Sequence, residues 1–189
     1  MSQIAVYKIT AISPLLQNNP ASMARSNGDL GVKKIPTPDE ESAQKVYRNE
    51  DGTFYILSEA FRSAIVGKGG AASGRKIGKR TAISACCAGL FTTETRCTLF
   101  DPDTEKPLKK YEIDTRRAVV QGQGVLRSRP MFPKWGLLLA FEIDEDWVTL
   151  QMVLELLNIA GKVAGVGDFR PQKKGSFGRF KAELVSATD

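Results

Sequence analysis

Gly165-Val-Gly-Asp-Phe-Arg-Pro-Gln-Lys-Lys-Gly-Ser-Phe-Gly-Arg-Phe180 joins the clearest helical pattern of the chain to its last strand-like segment. Its four glycines, Gly165, Gly167, Gly175 and Gly178, permit left-handed backbone and close approach to a ligand. On this reading, exposed backbone N–H groups meet phosphate oxygens, and Arg170, Lys173, Lys174 and Arg179 supply charge. Phe169, Phe177 and Phe180 either stack on bases or anchor the loop in the core, and Asp168 bonds its own turn. The order helix, glycines, strand excludes a Rossmann fingerprint, which runs strand, glycines, helix. No window fits the phosphate-loop pattern G-x-x-x-x-G-K-[ST].

Working outward, Leu150, Val153, Leu154, Leu157 and Ala160 make one apolar stripe and predict a helix over 148–164. The nearly all-apolar segment 136–144 reads as a central strand, and 178–186 as a final, alternating one. Upstream, 3–12 is a β-branched first strand and 53–57 a short strand. Ser58 then caps a helix carrying Ala60, Phe61, Ala64 and Ile65. The segment 67–80 is too rich in glycine and charge to pack and reads as mobile. A helix of small residues follows over 81–90, and then a strand over 93–100. Segments 110–120 and 123–130 form a hairpin around residues 121–124. Two stretches stand outside this frame as insertions: 13–52, with a short helix or strand near 41–48, and 108–130. Without them the order is β-α-β-β-α-β, an α+β, ferredoxin-like (RRM-like) core in one domain over 1–189, with the glycine-rich loop before its last strand.

The 189 residues are 42% hydrophobic, enough to bury a core without disulfide or metal staples. There is no histidine, which excludes histidine general acid–base catalysis, histidine-activated nucleophiles and histidine-liganded metals. Cys86, Cys87 and Cys97 form no CxxC pair, so neither a metal nor another cofactor is expected. A low, odd cysteine count fits a reducing cytoplasm. The N-terminus does not read as a secretory signal, and no apolar run reaches the ~20 residues of a membrane span. No membrane partner is expected.

Charge is sorted along the chain. Lys and Arg exceed Asp and Glu by 27 to 21. The window 60–82 holds Arg62, Lys68, Arg75, Lys76, Lys79 and Arg80 without an acid. The window 115–135 holds Arg116, Arg117, Arg127, Arg129 and Lys134, again without one, and 161–181 sets six basic residues against Asp168. Sorting of this kind concentrates positive potential, which suits a polyanion. Alternation puts Arg127 and Arg129 on one face of the hairpin and Arg116 and Arg117 on opposite faces. The acidic remainder, including Glu40, Glu41, Asp101 and Asp103, is complementary to these windows and suggests head-to-tail contact between copies.

A loop of the form G-x-G…G-x-x-G-x-F between the second helix and the last strand resembles that of the RAMP superfamily, the RNA-binding subunits of CRISPR effector complexes. Leu57-Ser-Glu-Ala-Phe-Arg-Ser-Ala-Ile65 is similar to the strand–helix entry of the family's backbone subunits. The resemblance implies a non-catalytic subunit that binds single-stranded RNA (or DNA) and assembles with copies of itself, or with other CRISPR effector subunits, along the strand. Two alternatives stay open beside it. One is a solitary viral or mobile-element mimic that blocks assembly of such a complex. The other is a metal-dependent RNA-cleaving backbone subunit using Asp29, a weak candidate because an aspartate beside glycine more often forms a turn. The expected nucleic-acid contacts are the basic residues of 62–80, the four hairpin arginines, and the glycines and basic side chains of the loop.

Overall fold

The β-branched and apolar run along Ser2–Ala11 (β1) forms a strand whose burial alternates, giving two unlike faces. Ala5, Tyr7 and Ile9 are fully buried, while Ile4 is exposed. The computed structural model describes residues 2–20, 36–120 and 122–188. After β1 come β2 (Leu15–Leu16), α1 (Pro38–Lys45), β3 (Tyr55–Leu57), α2 (Glu59–Val66), β4 (Lys76–Ile77) and β5 (Arg80–Thr81). Next are α3 (Ala82–Gly89), β6 (Leu90–Thr92), β7 (Arg96–Thr98), β8 (Glu112–Val120), β9 (Gln123–Phe132) and β10 (Gly136–Asp144). The chain ends with α4 (Leu150–Val163), a single 3-10 turn at Pro171–Lys173, and β11 (Phe180–Thr188). The fold is thus mixed α+β. Among the described residues no helix is long and apolar enough to cross a membrane.

The largest sheet has the order β11-β1-β10-β6, antiparallel throughout. Leu137, Leu139, Phe141 and Ile143 of β10 join Tyr7 and Ile9 on its buried face, and α4 covers them with Val153, Leu157 and Ala160. Each of the Val, Leu, Ile and Phe side chains contributes roughly 1.5–3 kcal/mol by leaving water. Phe61 of α2 meets Phe180 of β11 edge-on at 5.2 Å. Helix α4 crosses β11 so closely that a Cβ on Gly161 would stand 1.9 Å from the Phe180 carbonyl oxygen. At the outer edge of the sheet, Asn158 of α4 reaches β11. Its amide nitrogen donates to the Ala182 carbonyl and its oxygen accepts from the Ala182 N–H, both at 3.0 Å.

Several expectations need correction. The strand expected over 93–100 is ordered as β7 at Arg96–Thr98 and pairs with β3, while the strand beside β10 is Leu90–Thr92. Gly89 approaches the Trp147 side chain so closely that no Cβ would fit, and the chain passes from α3 into β6 with no intervening turn. The segment expected at 53–57 is ordered as Tyr55–Leu57 and pairs with β7 outside the main sheet. Ser58 makes no side-chain cap; its hydroxyl donates to the Glu94 carbonyl. Part of the segment 67–80 does pack, while residues 73–76 and 78–80 stay exposed. Gly70, Ala71 and Ala72 are buried, and the Ala71 and Ala72 N–H groups donate to the carbonyls of Ala64 and Ile65 at 3.0 and 2.9 Å. Small residues let the chain fold back on the end of α2, where carbonyls lack helical partners.

The two supposed insertions build one unit together. Strand β2 pairs with β9, and β9 with β8. Helix α1 lies against β9, with Lys45 Nζ donating to the Ser128 carbonyl at 3.0 Å. Thr37 starts α1 with a reciprocal capping box to Glu40. Asp29 lies outside the described residues.

Candidate nucleic-acid interface

The glycine loop leaves α4 through Gly165, Gly167 and Gly178, all with positive φ (65°, 76° and 66°). A Cβ on Gly178 would fall 1.7 Å from the Val166 carbonyl oxygen, and one on Gly175 equally close to that of Phe169. These glycines therefore serve the loop's own close packing. The backbone N–H groups are largely consumed there. Val166 donates to Gly178, Asp168 to Leu16, Gly175 to Arg170, Phe177 to Phe169, and Gly178 to Pro14. The expectation that loop amides stand free for phosphate is not met at these positions, so anion binding falls to the side chains.

Those side chains differ in availability. Arg170 donates to the Gly167 carbonyl at 2.8 Å and to Gln172 at 3.1 Å, which leaves its charge without a carboxylate. Lys173 and Lys174 are exposed and Arg179 is half-buried; none has an ion pair among the described residues. Phe180 is core, Phe177 is buried, and Phe169 is half-buried with a left-handed backbone.

Register places Arg116 opposite Arg127 and Asp114 opposite Arg129, so all four share one face of the hairpin. Three of these arginines are matched within the chain. Arg116 Nε lies 2.6 Å from Asp114, and its guanidinium stands 4.5 Å from the Phe177 ring centroid. Arg127 reaches Glu41 at 3.3 Å. Arg129 is buried, 2.6 Å from Asp168 in a close ion pair whose N–H is not aimed along the contact, and its cation lies 5.0 Å from the Phe169 ring centroid. Asp168 thus holds the hairpin as well as the adjacent Phe169 N–H. Arg117 alone of the four is exposed and has no ion pair among the described residues.

Glu41, expected to face a neighbouring copy, is instead 9% exposed inside its own chain. It receives Lys45 at 2.5 Å, Arg127, and the Ser128 N–H at 2.8 Å. Burial pushes its pKa up, but the Lys45 ammonium, the Ser128 N–H and the Arg127 charge outweigh burial and hold it below the usual value. Asp103 is likewise engaged, with Lys134 at 2.6 Å.

The window 60–82 behaves differently. Arg62 donates to the Leu90 carbonyl at 2.8 Å and pairs with Glu59, one residue outside the window. Lys68, Arg75, Lys76, Lys79 and Arg80 are all exposed without an ion pair among the described residues. Arg80 stacks 4.1 Å from the Trp147 ring centroid. Gln172 of the glycine loop donates to the Lys68 carbonyl at 2.5 Å, so this window and the loop meet. The loop also touches the hairpin through Phe177 and Asp168. It is the junction of all three basic windows.

A pocket of about 330 Å³ opens beside the loop, lined by Gly167, Asp168 and Arg170 on one side and by Asn18, Tyr47, Leu57 and Ala60 among others. Next to it Tyr47 and Tyr55 lie 5.4 Å apart, and Arg96 stands 4.8 Å from the Tyr55 ring centroid. Arg48 lies 5.2 Å from the Phe54 ring centroid. These residues were overlooked in the sequence because Tyr47 and Arg48 come from the stretch read as an insertion, Phe54 and Tyr55 from a short strand, and Arg96 is an isolated arginine. The pairing of Tyr47 and Arg48 with flanking aromatics was the available signal. Burial, with Tyr55 beside it, raises the Tyr47 pKa, so the hydroxyl keeps its proton. Trp135 is core, its indole N–H donated to the Ser13 carbonyl. Burial pushes the Cys86 thiol up to about 11 and the Cys97 thiol up to about 12, so both stay protonated at neutral pH. Among the described residues no three His, Cys, Asp or Glu side chains come together as metal ligands.

No protein-family profile matches the sequence, and no curated protein matches it. Among solved structures, the chain is similar to one chain of the cryo-EM structure of the Type III-B Cmr-beta bound to cognate target RNA, with a TM-score of 0.49 and 15% identity. The likeness covers 99% of this chain and 60% of that one, so this protein spans about 60% of the length of the chain it matches.

Proposed function

We propose that this protein is a non-catalytic nucleic-acid-binding subunit whose ligand is a single strand, RNA in the first place. One observation carries the reading: exposed or half-buried cations without carboxylate partners among the described residues lie on two stretches that meet where Gln172 bonds the Lys68 carbonyl. Lys68, Arg75, Lys76, Lys79 and Arg80 come from one side and Arg170, Lys173, Lys174 and Arg179 from the other. Contacts of this kind go to phosphates and position a strand without reading it. We read the sheet order β11-β1-β10-β6 with its helices as the ferredoxin-like core. The glycine loop before β11 supports a RAMP-type subunit that assembles with copies of itself or with other CRISPR effector subunits along RNA. Preference for RNA over DNA rests on that resemblance, because phosphate contacts do not see the sugar.

The test is to purify the protein from cells, sequence the nucleic acid that accompanies it, and titrate the stripped protein with single strands over a range of salt. The expected result is bound RNA and an affinity that falls steeply with salt, each neutralised phosphate adding about −0.7 to the slope of log K against log salt. Affinity that stays flat with salt overturns the reading. Light scattering on strands of increasing length tests assembly: particle mass is expected to rise in steps of one copy.

A further inference from the structure

We infer that the pocket beside the glycine loop receives one unstacked base of the bound strand and favours adenine. The inference rests on the reading of the protein as a single-strand binder and assigns it a base-reading subsite.

The pocket has the composition such a subsite needs. Leu57 and Ala60 give it apolar wall, and Tyr47 gives it an aromatic one. Its volume of about 330 Å³ sits at the small end of the range for ligand sites, suited to one heterocycle rather than a folded partner. Tyr47 already belongs to a row with Tyr55 and Arg96 at 5.4 and 4.8 Å, and a flat base seated against Tyr47 would lengthen that row. Single-stranded RNA is recognised in this way, by splayed bases stacked on aromatic and arginine planes.

Two groups at the pocket have unspent hydrogen-bonding capacity. The exposed side-chain amide of Asn18 and the hydroxyl of Tyr47 make no hydrogen bond among the described residues. The neighbouring Gln17 amide, by contrast, is fully committed, to the Tyr55 carbonyl at 2.8 Å and the Tyr47 N–H at 2.9 Å, and serves to hold the wall. A free asparagine amide offers one donor face and one acceptor, the complement of the adenine N7 and N6 edge. Arg170 lies at the rim, fixed by its bond to the Gly167 carbonyl, where its uncompensated charge suits the phosphate attached to the seated nucleotide. Asp168 also lines the pocket, but its Oδ1 accepts from the Phe169 N–H and its Oδ2 is buried against Arg129, so it does not compete for the base.

The experiment measures affinity for a 12-nucleotide oligouridine and for the same strand carrying one central adenosine, with wild type, Asn18→Ala and Tyr47→Leu, across a salt series. Wild type is expected to bind the adenosine strand about tenfold more tightly, the usual scale for one bidentate base contact. Asn18→Ala, on an exposed side chain, should remove most of that difference and leave the salt slope unchanged. Tyr47→Leu should weaken both strands while thermal melting shows it folded. Equal wild-type affinity for the two strands, or a preference that survives Asn18→Ala, overturns the pocket and leaves the phosphate-binding reading standing. Failure to bind either strand overturns both. Adenosine monophosphate that competes as strongly as the strand overturns the claim that the base arrives on a strand.

Discussion

In the β8–β9 hairpin, Arg116, Arg127 and Arg129 lie against Asp114, Glu41 and Asp168, whereas in the segment 67–81 Lys68, Arg75, Lys76, Lys79 and Arg80 lie against no carboxylate among the described residues. Both stretches look alike as sequence, since neither window contains an acid. The difference is made in three dimensions. Two of the hairpin's carboxylates come from far along the chain, one on α1 and one in the glycine loop, and the third sits just outside the window. A basic window is therefore not yet a basic surface. What separates them is whether the fold carries acids to meet it, and the face-to-face arrangement of Arg116 and Arg127 makes such acids necessary in the hairpin.

This contrast can be broken most sharply at Glu41. Its side chain is almost buried and pairs with two cations, so Glu41→Ala leaves Lys45 and Arg127 facing an empty site. A loss of about 3 kcal/mol in urea denaturation is expected, on the scale of broken buried ion pairs. A loss under about 1 kcal/mol would mean that the hairpin arginines need no internal partner. The converse experiment neutralises the unpaired set. Changing Lys68, Arg75, Lys76, Lys79 and Arg80 together to Gln should reduce the magnitude of the salt slope for single-strand binding by about 3.5, with each site costing under about 0.5 kcal/mol of stability. Arg116, Arg127 and Arg129 changed to Gln should do the reverse, lowering the urea midpoint and scarcely moving the slope.

Acid sharpens the comparison further. Because the Glu41 carboxyl is held below its unfolded value of ~4.3, its contribution is fully present above that pH and is lost as pH falls through the lower folded value. The stability gap between wild type and Glu41→Gln should therefore be constant at neutral pH and shrink below about pH 4, as followed by thermal melts. The smallest effect belongs to Arg117, the one hairpin arginine without a partner. Arg117→Gln should lower the slope by about 0.7 and leave melting nearly unchanged. If it behaves like its paired neighbours, exposure is not what separates the two regions.

The same contrast explains how much could be read in advance. Helix α4 was legible because its stripe from Leu150 to Ala160 repeats at helical spacing, and β10 because nine residues run almost wholly apolar. The strand expected over 93–100 matched β7, while β6 stayed hidden, since Leu90-Phe91-Thr92 follows small helical residues and its start depends on the contact between Gly89 and Trp147. Helix α1 did leave a local sign, the Thr37…Glu40 capping box followed by Lys45 in its last turn, but the surrounding prolines and asparagines masked it. The loop glycines were recognised and their purpose misread: positive φ is a local property, while the carbonyls pressed against Gly175 and Gly178 are not. The pocket was hidden for the same reason, assembled as it is from residues near 17, 47, 57 and 168.

The amide of Asn158 has a consequence for how copies of this protein can meet. A strand at the rim of a sheet offers unsatisfied backbone groups to any extended chain, and growth by that route is open-ended. Asn158 acts as a surrogate strand one residue long, filling both the donor and the acceptor of Ala182. Fibrous stacking through this part of β11 is blocked at a cost of one polar side chain on α4. A second extended chain would have to displace that amide before it could pair with β11 at Ala182.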